Sequence, residues 1–155
     1  MMLPRLKIVI CDDDPDEILF LQFALQRLRS DYELVGLSSG LEMLDYLITA
    51  TVLPDIIFLD NHMPGLSGIE TLYCIKRLNL PTSILVFLNS ICAALQDVDE
   101  AYGAGADRYI IKSVAAPQLE NIVKRVLEMD KNDFLERDRN TFCLGTISPR
   151  TDLHT

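Results

Sequence analysis

Three short apolar runs in this chain each end in an ionisable side chain. Leu6-Lys7-Ile8-Val9-Ile10-Cys11 runs into Asp12-Asp13-Asp14, Asp55–Leu59 into Asp60, and Arg108–Ile111 into Lys112. A fourth run, Ile84–Leu88, delivers Asn89 and Ser90. Carboxylates gathered at one place repel and raise one another's pKa unless a cation sits among them. A few hard oxygen ligands, with positions left for water and phosphate, suit Mg²⁺ or Mn²⁺. A lysine opposite them would complete a site for an oxyanion such as a phosphoryl group. Asp after a strand is also a common turn former or helix cap, and that plainer role is the one favoured for Asp14 and Asp16. Chance placement of Asp12, Asp13, Asp60 and Lys112 on one edge is far less probable.

The elements that must hold these groups can be read from periodicity. Each apolar run is short and nearly continuous, as in strands covered on both faces. Between them lie segments of helical period. Ile18 to Leu28 is preceded by Pro15 at a first-turn position, with Asp14 as N-cap and Asp16 and Glu17 at the positive helix end. Tyr32–Leu37 reads as a second strand and Leu41–Thr49 as a second helix. After the third strand, Asn61-His62-Met63-Pro64-Gly65-Leu66-Ser67-Gly68 is rich in turn formers before the helix Ile69–Leu78. Ala93–Ala104 and Pro117–Met129 supply the last two helices. The apolar stripe Ile122, Val123, Val126, Leu127 and Met129 reads as core. Five strand–helix repeats predict an α/β fold, a doubly wound five-stranded parallel sheet. In such a sheet, ligands bind at the carboxyl ends of the strands, where the four groups stand.

The bulk properties fit one such domain. The chain has 155 residues and a formal net charge of −9. That average field repels a phosphate backbone, which argues against direct nucleic-acid binding. It suits a protein that holds cations or meets basic partner surfaces. The apolar runs fall well short of the roughly 20 residues a membrane helix needs. The opening residues lack signal-peptide features, so no membrane association is expected. Cys11, Cys74, Cys92 and Cys143 have no CxxC spacing and read as reduced thiols of a cytoplasmic protein, Cys11 and Cys74 as core fillers. Residues 130–155 lose periodicity and read as a C-terminal tail or extra terminal element, partly disordered and too short for an output domain.

Ile-Val-Ile-Cys-Asp-Asp-Asp-Pro at 8–15, Ile-Ile-Phe-Leu-Asp-Asn-His-Met-Pro-Gly-Leu-Ser-Gly at 56–68 and Ala-Gly-Ala-Asp-Arg-Tyr-Ile-Ile-Lys at 104–112 resemble, in that order, the receiver domain of two-component response regulators. The resemblance covers about residues 5–129, and the interval from Asp60 to Lys112 is the family's usual one. It implies the stand-alone form of the family and the following roles. Asp60 is the phosphate acceptor. Asp13, Asp60 and the backbone carbonyl of His62 are metal ligands, and Asp12 assists through water. Lys112 pairs with Asp60 and then with its phosphoryl oxygens. Ser90 is the switch hydroxyl, and Tyr109 is the aromatic residue whose rotamer reports activation. The partners implied are a sensor histidine kinase or phosphotransfer protein and a downstream protein target. A homodimer through the fourth helix, fifth strand and fifth helix is possible. Such a chain is not a multiple-turnover metabolic enzyme; it catalyses its own phosphorylation and slow dephosphorylation.

Two positions depart from the family pattern. Ile91 stands where a small residue is usual, and a bulky side chain there is expected to hinder access or slow hydrolysis. The alternative is a loop slipped by one, with Asn89 at the switch position. Ser113 follows Lys112 where Pro with a cis bond is common; a cis bond before Ser would cost about 2.5–4 kcal/mol, which favours a trans or strained link. The side chain of His62 is read as an exposed loop group that tunes water access, and His154 as uninvolved. Two other functions compete: a pseudo-receiver that binds partners through an idle site, and a haloacid-dehalogenase-type phosphatase, whose Asp-x-Asp spacing is met by Asp12 and Asp14.

Overall fold

The computed structural model describes residues 5–29, 31–81, 83–92, 94–112, 116–129, 131–134 and 137–144. Strands and helices alternate: β1 Leu6–Cys11, α1 Pro15–Leu28, β2 Tyr32–Leu37, α2 Gly40–Thr49, β3 Ile56–Asp60, α3 Gly68–Arg77, β4 Leu85–Ser90, α4 Leu95–Ala104, β5 Arg108–Ile111 and α5 Ala116–Glu128. A 3₁₀ turn at Lys131–Phe134 and a two-residue strand β6, Cys143–Leu144, follow.

The helices begin where the sequence supplies caps. Asp14 accepts from the Asp16 amide at 2.9 Å with Pro15 in the first turn of α1, and Ser67 with Glu70 forms a capping box on α3. These satisfy amides that the helix itself leaves unpaired. α4 differs. It starts at Leu95, two residues after the expected Ala93, and its N-cap Ala94 offers no side-chain bond.

The sheet is parallel in the order β2-β1-β3-β4-β5-β6. Five of these strands match expectation; the sixth does not. β6 pairs in parallel with the outer edge of β5, Tyr109 against Cys143 and Ile110 against Leu144. The segment read as a tail or extra terminal element therefore extends the sheet, for a simple reason. Phe142 is 1% exposed and Leu144 2%, so two apolar side chains seat a strand too short to show a period.

Two cores flank the sheet. Val9, Cys11, Ile57, Leu59, Val86, Leu88 and Tyr109 face one side, with buried residues of α2, α3 and α4. Ile8, Ile10, Phe58, Phe87 and Ile110 face the other, with α1 and α5. The α5 stripe is core as expected: Ile122, Val123 and Val126 are buried, with Leu127 and Met129 packed against them. Cys11 is buried, whereas Cys74 is only half-buried. Among the described residues, no helix is long and apolar enough to cross a membrane. Ser113 and His154 lie outside the described residues.

Candidate functional site

From β1 the chain moves to β2 on one side, and from β3 it moves to β4 on the other, so a crevice opens between the ends of β1 and β3. Asp12 and Asp13 follow β1 there, and Asp60 is the last residue of β3. Asp12 is 2% exposed and Asp60 4%, while Asp13 is exposed at the rim. Ligand oxygens of all three lie within 4.8 Å of one another. Lys112 follows β5, two strands beyond β3, and reaches across the sheet. Its Nζ lies 2.8 Å from Asp12 Oδ2 and 2.9 Å from Asp60 Oδ1. The four groups of the sequence reading thus converge on one strand edge.

Local bonds fix these side chains. The Asp14 amide donates to Asp12 Oδ1 at 3.0 Å, so the start of α1 also orients a carboxylate. Asn61 donates its amide to the Asn89 carbonyl at 2.8 Å, and its Oδ1 accepts from the Ile69 amide at 3.1 Å. The β3–α3 loop is thereby tied to β4 and α3. The Lys112 amide donates to the Ser90 carbonyl at 2.8 Å. Gly68 packs so closely that a Cβ there would stand 2.4 Å from the Asp60 carbonyl oxygen.

Burial raises the Asp60 pKa, against the opposing pull of Lys112 and a backbone bond from His62, and the charge of Asp12 adds to the rise. For Lys112, burial works against the ammonium, but its bonds to Asp12 and Asp60 and their charge outweigh it and lift the pKa. Three hard oxygen donors around one ammonium fit a divalent ion such as Mg²⁺ better than a softer metal. The donor set therefore suits the expected cofactor.

Ser90 ends β4, is fully buried, and lies on the same face as Leu88 and Tyr109. Its Oγ lies 3.1 Å from His62 Nε2 and accepts from the Cys92 amide at 3.0 Å. Asn89 projects to the opposite face, aligned with Asp60, and its buried Oδ1 has no hydrogen-bond partner. Ser90, not Asn89, therefore shares a face with the aromatic ring. Tyr109 is fully buried, and its hydroxyl donates to the Cys92 carbonyl at 2.7 Å. Ile91 is 75% exposed at the mouth of a cavity of about 1090 Å³ between α1 and α5, which Asp12, Glu17 and Lys112 also line.

Three features escaped the sequence reading. The Asp12–Lys112 ion pair depends on strand order, which periodicity does not carry. The His62 side chain is exposed as read, but its contact with Ser90 was not foreseen. Glu17 was read as a helix-end charge, but burial raises its pKa beside Lys112 and Asp12; its position just after the acidic run was the available signal.

The family model of the response regulator receiver domain matches residues 8–124. A nitrate/nitrite response regulator protein homolog of Haemophilus influenzae is 29% identical over 96% of this chain and 73% of its own length. The nitrate/nitrite response regulator NarL of Escherichia coli is 34% identical over 72% of this chain, which spans about half of that relative. Among solved structures, the phosphorylated cyanobacterial phytochrome response regulator RcpA has a TM-score of 0.72 at 31% identity, over 80% of this chain and 92% of its own. The BeF3-activated DrrB receiver domain reaches 0.65 at 26%, over 81% and 99%. The order of motifs, the parallel sheet and the buried acids beside a lysine have one shared explanation: the chain belongs to the response regulator receiver domain family.

Proposed function

We propose that the chain accepts a phosphoryl group on Asp60 from a phosphohistidine of a sensor histidine kinase or phosphotransfer protein, and signals through phosphorylation-dependent protein contacts. The observation that carries this reading is the convergence of Asp12, Asp13 and Asp60 with the Lys112 ammonium 2.9 Å from Asp60. Asp13, Asp60 and the His62 carbonyl would hold Mg²⁺ or Mn²⁺, with Asp12 in support. The ion supplies charge neutralisation for the phosphoryl oxygens and the acceptor. An Asp60 carboxylate oxygen bonds to phosphorus as the phosphorus–nitrogen bond of phosphohistidine breaks, and the imidazole leaves with the electron pair. The product is an acyl phosphate. Such transfers need alignment and charge neutralisation more than a general base. Lys112 neutralises Asp60 before transfer and a phosphoryl oxygen after it. Ser90 then turns its hydroxyl from His62 and Cys92 to the phosphoryl group, and Tyr109 responds through Cys92.

The family match does not favour the phosphatase alternative. Asp13, Asp60 and Lys112 together argue against an idle pseudo-receiver. A cytoplasmic location suits the four free thiols. Because the chain spans about half of relatives such as NarL, whatever else the whole protein does lies outside this reading. The test is mass spectrometry after incubation with acetyl phosphate and Mg²⁺. One phosphoryl increment is expected, absent in Asp60→Asn; undiminished labelling of that variant removes Asp60 from the role.

A further inference from the structure

Residues 137–144 and Phe134 make contacts that the phosphoacceptor site does not need. They grip α4 and β5 at the same time. The Tyr109 amide donates to the Phe142 carbonyl at 3.0 Å, and the Phe142 ring meets Tyr102 of α4 edge to face at 5.1 Å. The Arg137 guanidinium lies 4.0 Å from the Tyr102 ring centroid and donates to the Ala106 carbonyl at 3.0 Å. The Tyr102 hydroxyl donates back to the Arg137 carbonyl at 3.2 Å. Arg139 pairs with Asp99, also on α4. Below, Arg108 of β5 is 5% exposed, stacks 4.5 Å over Phe134 and donates to the Asp133 carbonyl at 3.2 Å. Arg108 thus seats the turn just before the segment, through the Asp133 carbonyl and the Phe134 ring, while its buried Nε has no hydrogen-bond partner among the described residues.

The same two elements carry the switch. Tyr109 sits in β5, and its hydroxyl is held by the Cys92 carbonyl. Cys92 in turn donates its amide to Ser90 Oγ and leads into α4, the helix that lacks a side-chain N-cap. We infer that residues 137–144 are a clasp that occupies the α4–β5 surface and favours the resting position of Ser90 and Tyr109, so that phosphorylation and a seated clasp oppose one another. The physical reason is geometric. Drawing Ser90 towards a phosphoryl group moves Cys92, which withdraws the partner of Tyr109 and shifts the start of α4. A helix that moves cannot keep Asp99 on Arg139, and Tyr102 on both Arg137 and Phe142, because packed contacts have discrete arrangements. Release bares the β5 edge and an acidic, aromatic face of α4. That face fits an extended partner segment of the clasp's own chemistry, two arginines and a phenylalanine. The idea rests on the proposed phosphorylation of Asp60.

Hydrogen exchange of the full chain with and without Mg²⁺ and beryllofluoride, a phosphoryl analogue, tests it, together with Arg137→Ala. The amides of Tyr109 and residues 141–144 are expected to exchange about fivefold faster or more when the analogue is bound, in step with Ser90 to Cys92. Coupling is reciprocal, so Arg137→Ala should exchange faster without the analogue and bind it about fivefold more tightly or better. Arg139→Ala, at the other exposed grip, should act in the same direction. A response at Ser90 to Cys92 with none at 141–144 overturns the clasp, as does an Arg137→Ala protein of unchanged analogue affinity. A dimer whose dissociation frees 141–144 overturns it too, since the segment would then be seated by a second copy. Silence at both places, with no analogue bound, overturns the phosphoacceptor reading itself.

Discussion

Among the described residues, Lys112 is the one cation bonded to both buried carboxylates of the site, at 2.8 Å and 2.9 Å, with only 16% of its own side chain exposed. Its removal leaves Asp12 and Asp60 charged and unpaired, which costs more than a lost surface ion pair. Lys112→Met should lower stability in EDTA at neutral pH by at least about 1–3 kcal/mol, read by urea unfolding. Added Mg²⁺ should recover part of that loss. An unchanged urea midpoint would mean that the pair contributes nothing to the fold. Tyr109 carries a second residue-level consequence. Burial pushes its phenol pKa from 10.0 up to about 12. A group whose pKa is raised on folding contributes stability that is complete below its unfolded value and lost as pH climbs through the folded one. Stability should therefore fall from about pH 10 towards 12, with a tyrosinate absorbance step near 12 that Tyr109→Phe lacks. A titration that ends near pH 10 would mean that the ring is open to water.

At the scale of elements, the β3–α3 connection decides whether Asp60 points into the crevice. A Cβ on Gly68 would stand 2.4 Å from the Asp60 carbonyl oxygen and 2.7 Å from Asn61 Cα, both backbone atoms that cannot swing aside. Gly68→Ala should destabilise by about 1–3 kcal/mol and slow phosphoryl uptake as Asp60 shifts. Gly103, on α4, has nothing within 4 Å of the same added atom. Gly103→Ala should instead stabilise by about 0.4–1 kcal/mol, through the unfolded chain, without altering uptake. Thermal and urea unfolding of the pair would separate close packing from helix propensity. These elements also mark how far sequence could be read. Buried parallel strands announce themselves as continuous apolar runs, so the ends that carry Asp12, Asp60 and Lys112 were legible. The reach of Lys112 to Asp12 was not, because it depends on β3 and β4 lying between their strands. β6 was hidden for a different reason: two residues hold no period, and only Phe142 and Leu144 among polar neighbours hinted at it. The start of α4 was misplaced at Ala93 because no capping side chain marks it.

For the molecule as a whole, the formal charge of −9 makes any cation favourable, so a specific ion must be separated from general screening. An ion that binds only the folded chain stabilises it by mass action, by about 2.7 kcal/mol at a hundredfold excess over its Kd. At about 2–4 °C per kcal/mol for a domain of this size, Mg²⁺ should raise Tm by roughly 5–10 °C. Potassium chloride at matched ionic strength screens the same surface charges but brings no hard divalent ion to the crevice. It should produce a much smaller rise. Asp13 decides between the two, since it is exposed and its replacement disturbs no core. Asp13→Asn should keep the small response to potassium chloride and lose most of the Mg²⁺ response. Equal shifts from both salts, or an undiminished Mg²⁺ shift in Asp13→Asn, would place the cation effect on the acidic surface at large and take the metal away from the carboxylates at the ends of β1 and β3.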